Sequence, residues 1–231
     1  MKALLYKEFK LAMHPICYVF IAMFPFMILI PSYPLAIGFI YVLTCYPILF
    51  LGANKGQQSN DLLYSTLLPI RKKDIVLARI MTVLIMHLAF IAITSALYPL
   101  AVVINQNIAA SVSEDDAVLT SLAVPGLGLN SYVLILAIVI IGFAIADLIF
   151  FPVYYKNGKS IVMSTLLMIL GFVVYIGLFT IGLPYVPGLE FLNDLPIWVQ
   201  FIALAVSILI YAVLHIVVFK VSSKRLERVD F

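Results

Sequence analysis

Residues 11–54 read LAMHPICYVFIAMFPFMILIPSYPLAIGFIYVLTCYPILFLGAN and contain no Asp, Glu, Lys or Arg. As one helix, these 44 residues would be roughly 66 Å long, about twice the ~30 Å hydrocarbon core of a bilayer. Pro31 and Pro34 lie near the middle, and proline removes a backbone donor and disfavours helical geometry in the residue before it. The stretch therefore predicts a tight helical hairpin with membrane spans near residues 16–31 and 34–53.

The rest of the chain has the composition of a membrane protein. Of its 231 residues, 65% are hydrophobic and 11% are charged, whereas charged residues make up about 25% of a typical soluble domain. This composition disfavours a soluble enzyme, a nucleic-acid-binding protein and a secreted disulfide-rich module. Further apolar stretches of spanning length lie near residues 80–104, 131–153, 161–183 and 197–219. We therefore predict an all-α integral membrane protein with six transmembrane helices in one domain, residues 1–231.

The basic residues predict how these helices are oriented, because Lys and Arg are enriched in cytoplasmic loops. With six spans, all 14 Lys and Arg residues fall on one side of the membrane. The loops on the other side carry none and contain five acidic residues: Glu114, Asp115, Asp116, Glu190 and Asp194. The split predicts that both termini, the loop of residues 54–79 and the tail of residues 220–231 are cytoplasmic, and that the loop of residues 105–130 is extracellular.

The loop of residues 54–79 contains a short segment with a helical pattern of its own. Asp61 offers an N-capping side chain, residues 62–68 can form two turns, and Pro69 ends them. One face of this helix is apolar and consists of Leu63, Tyr64 and Leu67. This face is too small to form a hydrophobic core of its own in water. Either the helix rests against lipid headgroups and the basic residues after Pro69 set the topology, or it docks on a cytoplasmic partner. We favour the docking interpretation.

Two stretches of the sequence resemble one family of membrane proteins. Residues 67–79, LLPIRKKDIVLAR, resemble the cytoplasmic loop of small ABC-2-type permeases, in which a Leu-Pro-x-x-Arg-Lys-Asp-Ile-Val run precedes the third span. Residues 1–9, MKALLYKEF, are similar to the opening Met-Lys-x-Leu-Leu-x-Lys-Glu/Asp of that family. Among these permeases, the chain most resembles those of exporters for phenol-soluble modulins and related bacterial peptides.

The resemblance implies a permease subunit of an ATP-driven exporter in the bacterial plasma membrane, with amphipathic peptides as the expected cargo. A separate cytoplasmic ABC ATPase subunit would dock beneath the permease, and a second permease, identical or different, would complete the transporter. The short helix in the loop of residues 54–79 would be the coupling helix. The ATPase-coupling residues implied are Asp61, Leu62, Leu63, Tyr64, Leu67, Leu68, Pro69, Arg71, Lys73 and Asp74.

The resemblance also implies that residues 1–15 form an interfacial elbow helix, which turns at Pro15 into the first span. On a helical wheel Lys7 and Lys10 point away from an apolar side. That side consists of Leu5, Phe9, Ala12 and Met13. We therefore predict that the segment lies in the inner headgroup layer, and a purely basic topology signal is the alternative.

The sequence contains no complete motif for catalysis or nucleotide binding. Residues 156–160, KNGKS, match the end of a phosphate-binding loop, but the full pattern needs a glycine where Val153 stands. Hydrolase motifs such as His-Glu-x-x-His and Gly-x-Ser-x-Gly are absent. We therefore predict a transporter subunit that is not an enzyme, with no catalytic residue, no metal site, no cofactor bound by this chain and no nucleic-acid partner.

Three ionisable residues, His87, Asp147 and His215, lie in the cytoplasmic halves of predicted spans. An ionised Asp in hydrocarbon costs about 2.5–3.5 kcal/mol, so Asp147 should face the bundle or water. The three residues either line a cavity as a polar cluster or proton relay, or supply a single buried hydrogen bond between two helices, which we favour. A relay would make the chain a proton-coupled secondary transporter that uses Asp147 and a membrane histidine, which is the alternative to ATP-driven export.

Overall fold

A computed structural model of the protein describes residues 2–12, 15–29, 38, 41–42, 65, 70–111, 132–157, 161–178 and 195–228. Within these ranges the regular structure is helical, without a strand. Three of the described helices are long and apolar enough to cross a membrane, over Lys72–Ile104, Tyr132–Lys156 and Ile197–Glu227, and shorter apolar helices cover Ile16–Phe26 and Ile161–Tyr175. These helices confirm the predicted class of an all-α integral membrane protein that crosses the bilayer several times.

The elements follow one another in a simple order. The N-terminal segment, residues 2–12, consists of α1 (Lys2–Lys7) and a π-helical turn (Glu8–Ala12). Helix α2 (Ile16–Met23) continues as a 3-10 helix (Phe24–Leu29), and the change coincides with Pro25, which has no backbone N–H to donate to the preceding turn. The longer helices are α3 (Lys72–Ser111), α4 (Tyr132–Asn157), α5 (Ile161–Gly177) and α6 (Ile197–Glu227).

Two helices extend beyond the spans that apolar length alone predicts. Helix α3 begins at Lys72, eight residues before the predicted span, and ends at Ser111. Asp74 lies in its first turn, where a carboxylate interacts favourably with the positive end of the helix dipole. Helix α6 continues past residue 219 to Glu227, because its last turns still bury side chains such as Leu226.

Contacts near both ends of α3 and α4 establish that these helices are antiparallel. Arg79, near the start of α3, donates to the hydroxyl of Tyr154 near the end of α4 (3.3 Å). Farther along α3, the hydroxyl of Tyr132 donates to Ser95 (3.2 Å), and Tyr132 lies at the start of α4. The start of α3 and the end of α4 therefore meet at one end of the bundle, which we call the basic end. The N-terminal segment joins this end through a contact of Glu8 with Arg79, and the end of α6 joins it through a contact of Arg225 with Pro152.

The described part of the first predicted span runs in the same direction as α3. Glu8 contacts Arg79 near the start of α3, whereas Ile28 lines a small cavity with Thr94, about four turns farther along. The second predicted span, residues 34–53, lies outside the described residues apart from 38 and 41–42.

Helix α6 buries several polar side chains inside the bundle and exposes most of its large apolar side chains. The buried face includes Gln200, Ser207, His215 and Ser222, which are spaced seven or eight residues apart. The surface exposes large apolar side chains, among them Trp198, Phe201, Leu209, Val213 and Ile216. This distribution is the reverse of a helix on a soluble protein and suits a helix whose outer face contacts lipid.

Helix α5 packs closely against α4 at Gly142. A Cβ atom at Gly142 would lie 2.7 Å from Cε2 of Phe172 and 3.1 Å from Cε1 of Tyr175. The hydroxyl of Tyr175 also donates to the backbone carbonyl of Ile138, at 2.9 Å, one turn away on α4. The absent side chain of Gly142 thus provides the space for two aromatic rings, as small residues commonly do where membrane helices meet.

We expect Gly142→Ala to destabilise the protein by roughly 1–3 kcal/mol, because the added methyl group displaces the packed rings of Phe172 and Tyr175. Gly177→Ala is a matched control, since a Cβ atom there has no neighbour within 4 Å. Thermal unfolding of both variants in detergent micelles measures the difference. Equal unfolding midpoints for the two variants would contradict the close packing at Gly142.

Candidate functional site

The described residues include only part of the predicted coupling segment. Seven of its residues lie outside them: Asp61, Leu62, Leu63, Tyr64, Leu67, Leu68 and Pro69. Ser65, from the predicted short helix, is described as helical and buried. Arg71 is exposed immediately before α3, and Lys73 and Asp74 lie in the first turn of that helix. The role of these residues in binding an ATPase stays a prediction.

The N-terminal segment contacts the predicted coupling helix directly. The Lys7 ammonium group donates a hydrogen bond to the hydroxyl of Ser65, although the two residues are 58 positions apart in the sequence. The same ammonium group lies 3.7 Å from a carboxylate oxygen of Glu8. Lys7 therefore connects Ser65 to the carboxylate of Glu8, the next residue in the chain.

A buried ion pair joins this segment to α3. Nε of Arg79 donates to Oε2 of Glu8 at 2.6 Å, and both side chains are less than one-tenth exposed. The remaining part of the guanidinium group donates to Tyr154 of α4. Removing one partner of such a pair leaves an uncompensated buried charge, which typically costs about 3–5 kcal/mol. One guanidinium group thus connects the N-terminal segment, α3 and α4.

The side of the N-terminal segment that packs against the bundle was not predicted from the sequence. Leu4 and Glu8 are the buried residues, whereas Leu5 and Phe9 are only partly buried. A helical wheel places the four apolar residues on one side and Lys7 and Lys10 elsewhere, and it gives Glu8 no partner. It therefore missed Glu8, whose carboxylate turns inward because Arg79 is there to pair with it. Leu4 and Glu8 are four residues apart, and positions i and i+4 share a helix face. This spacing was the signal in the sequence that both could be buried on the same side.

The end of α6 is also attached at the basic end. The Arg225 guanidinium donates to the backbone carbonyl of Pro152 in α4, at 2.6 Å. Lys73 and Glu227 form an ion pair at 3.4 Å, but both side chains are about half exposed, and exposed pairs contribute little to stability. The part-buried contact of Arg225, and not the exposed pair, therefore attaches the end of α6 to α4.

Deeper in the bundle, the structure brings the three predicted intramembrane residues together. His215 Nε2 lies 2.8 Å from Oδ2 of Asp147, and His87 Nδ1 lies 3.8 Å from the same oxygen. All three side chains are buried. They come from α6, α4 and α3, so the cluster connects the three long helices of the described bundle. Which of the proposed roles the cluster has, a proton relay or a structural hydrogen bond, stays open at this point.

The hydrogen-bond geometry of His215 constrains where its protons lie. Nδ1 is 2.8 Å from the backbone carbonyl of Tyr211, and a carbonyl only accepts, so Nδ1 carries a proton. One further proton lies between Nε2 and the carboxylate of Asp147. With that proton on either group the pair is neutral overall, as an imidazolium with a carboxylate or as a neutral ring with a carboxylic acid. This neutrality reduces the cost of placing Asp147 in the membrane.

His87 belongs to the same network through Tyr211. Its Nδ1 atom is 2.9 Å from the Tyr211 hydroxyl, so one of the two groups donates to the other. The imidazole ring is stacked on Phe143, with ring centroids 4.4 Å apart, and meets Tyr41 edge-on. Among the residues that the structure describes, no group of three or more His, Cys, Asp or Glu side chains has an arrangement that could hold a metal ion.

The comparison with known families agrees with this helical, membrane-spanning architecture. Residues 3–222 match the family described as ABC-2 family transporter protein. Because the match covers nearly the whole chain, the protein belongs to the ABC-2 transporter family and is the membrane component of an ABC transporter. Membership implies an ABC ATPase as partner and agrees with the absence of catalytic motifs from this sequence. No curated protein and no solved structure matches the chain.

We expect Asp147→Asn to retain the fold, because an amide can either donate to His215 Nε2 or accept from it. Replacing a charge-assisted hydrogen bond by a neutral one should cost roughly 1–2 kcal/mol. Asp147→Leu has the same number of side-chain heavy atoms but no polar atom, and should cost more because it leaves the buried His215 ring without this partner. Thermal unfolding in detergent compares the two. A Leu variant as stable as the Asn variant would contradict a structural role for this hydrogen bond.

Proposed function

We propose that this protein is the permease subunit of an ATP-driven ABC exporter in a bacterial plasma membrane. The observation that carries the proposal is the match to the ABC-2 transporter family over residues 3–222. The apolar helices of spanning length support a role inside the bilayer. In this proposal the separate ATPase hydrolyses ATP, and this chain forms the path through the membrane together with a second permease subunit, identical or different.

The ATPase is proposed to dock on the loop of residues 54–79, with the short helix around Ser65 as its binding element. The form of α3 supports this location, because the helix begins at Lys72 and continues without interruption into the apolar stretch that ends at Ile104. A force applied at the first turn is carried along the helix, whose only proline is Pro99, more than about seven turns farther on. The loop is therefore well placed to pass movement of a bound ATPase to the membrane helices.

The basic end is proposed to face the cytoplasm. The described Lys and Arg residues lie in the N-terminal segment, around the start of α3 and in the last turns of α4 and α6. Enrichment of basic residues at one end of a bundle is the usual mark of the cytoplasmic side. Under this orientation both termini are cytoplasmic and residues 105–130 begin at the outer end of α3.

Amphipathic peptides of the phenol-soluble-modulin class are the proposed cargo. The proposal is based on the resemblance of the chain, among small ABC-2-type permeases, to the permeases of that subgroup. Membership of the ABC-2 family favours ATP over a proton gradient as the energy source. Export that is blocked by vanadate, and that persists when the proton gradient is collapsed, would separate ATP-driven export from the proton-coupled alternative based on Asp147.

We predict that Leu63→Ala combined with Leu67→Ala releases the ATPase, because truncating an anchor of a helix-in-groove interface typically costs more than about 1 kcal/mol. Leu166→Ala with Leu170→Ala is the matched control, with the same substitutions at the same spacing on the exposed face of α5. The measurement is capture of the ATPase by tagged permease, normalised to permease abundance in the membrane. Capture that is unchanged in the Leu63 and Leu67 variant would rule out this docking site.

We predict that a cysteine at Ser113 reacts with an impermeant thiol reagent on intact cells and that one at Ser59 does not, because residues 105–130 should be extracellular and residues 54–79 cytoplasmic. Both single-cysteine proteins should carry Ser in place of Cys17 and Cys45, which removes background labelling. After membrane permeabilisation the cysteine at position 59 should also react. The reverse pattern on intact cells would invert the proposed topology.

A further inference from the structure

Two neighbouring residues of the N-terminal segment contact the proposed docking loop, residues 54–79, at two separate positions. Lys7 donates to Ser65, and Glu8 accepts from Arg79. Ser65 and Arg79 lie on either side of Pro69 and of the basic residues that lead into α3. The N-terminal segment therefore forms a clamp, which we define as Lys7, Glu8, Ser65 and Arg79.

We propose that this clamp is the element that couples the docking segment to α3, with Glu8 and Arg79 as positioning residues for ATP-driven movement. The inference rests on the proposed function, because it takes the segment around Ser65 as the place where the ATPase acts. It goes beyond that function because it assigns the N-terminal segment a role in passing movement of the ATPase to α3. Movement imposed at Ser65 reaches α3 through Lys7 and Glu8 as well as along the connecting chain.

The burial of the ion pair makes the connection stiff. Glu8 is 4% exposed and Arg79 is 7% exposed, so water cannot readily replace either partner if the two groups separate. The guanidinium group also has fixed donor directions, which set the position of the N-terminal segment relative to α3. A pair of this kind resists both sliding and separation, whereas an exposed Lys–Glu pair on flexible side chains would not.

The position of Arg79 on α3 makes the connection effective. Arg79 lies seven residues after Lys72, about two helical turns into α3. Its guanidinium group contacts Glu8 and the Tyr154 hydroxyl of α4 together. The clamp therefore acts on α3 at a point where that helix already packs against its neighbour, and not on the first turn alone. A displacement at this point is shared by α3 and α4.

The test uses the full-length permease co-expressed with the ABC ATPase that co-purifies with it, reconstituted in liposomes. A reporter cysteine replaces Asn107, an exposed residue near the opposite end of α3 from Arg79, in a protein with Ser at Cys17 and Cys45. The rate of thiol labelling is measured without nucleotide and after trapping with ATP and vanadate. The nucleotide-dependent change in this rate reports movement of α3 and needs no knowledge of the cargo.

We expect Glu8→Gln to retain ATPase capture and ATP hydrolysis but to reduce the nucleotide-dependent change in labelling roughly fivefold or more, the usual range of a coupling interaction. Glu227→Gln is the matched control, because it removes a carboxylate from the exposed pair at the same end of the bundle and should behave as the wild type. Combining Glu8→Arg with Arg79→Glu restores opposite charges and should recover part of the response that Glu8→Arg alone loses.

Ser65→Ala provides a second test that does not disturb the buried pair. It removes one hydroxyl group, and with it the hydrogen bond from Lys7, so it should weaken the nucleotide-dependent response. This variant keeps the clamp testable if Glu8→Gln lowers the abundance of the permease. A full nucleotide-dependent response in Ser65→Ala, or in a well-folded Glu8→Gln protein, would overturn the clamp while leaving the proposed function intact. If the wild-type permease captures no ATPase at all, the proposed function and the clamp both fail.

Discussion

Hydrocarbon offers no hydrogen bonds, so a polar side chain at membrane depth has to find its partner inside the bundle. The arrangement of the described helices depends on this constraint. Helix α6 turns its apolar side chains outward and brings His215 to Asp147 on α4. At the basic end, Glu8 and Arg79 satisfy each other in the same way. Polar pairs, and not apolar matching alone, therefore determine which helices are neighbours.

The sequence predicted the three long helices of the described part because apolar length is a local property. The apolar stretches near residues 80–104, 131–153 and 197–219 correspond to parts of α3, α4 and α6. Apolar length could not predict where a helix ends outside the membrane. Helix α3 starts early at Lys72, since its first turns are held by the contact of Arg79 with Glu8 and by buried apolar side chains such as Val76, which lie before the predicted span.

The contacts that matter most at the basic end were not visible in the sequence. Glu8 and Arg79 are 71 residues apart, and no periodic pattern connects residues at such a separation. Each looked like an ordinary charged residue near the membrane surface. The contact between Lys7 and Ser65 was hidden for the same reason. Pairings between distant segments become apparent only when the helices are placed beside one another, which is why neither Glu8 nor Arg79 was among the predicted site residues.

Helix α3 contains 40 residues and is therefore about 60 Å long, twice the ~30 Å thickness of the hydrocarbon core. Even a strongly tilted rod of this length protrudes from both membrane surfaces. Arg79 lies in the part near one surface, and Ser111 ends the part beyond the other. A pivot of ~10° about the midpoint would carry the two ends ~5 Å in opposite directions. Pro99 lies inside α3, and because a proline removes one hydrogen bond of the helix, part of such a movement can also be taken up by a bend there.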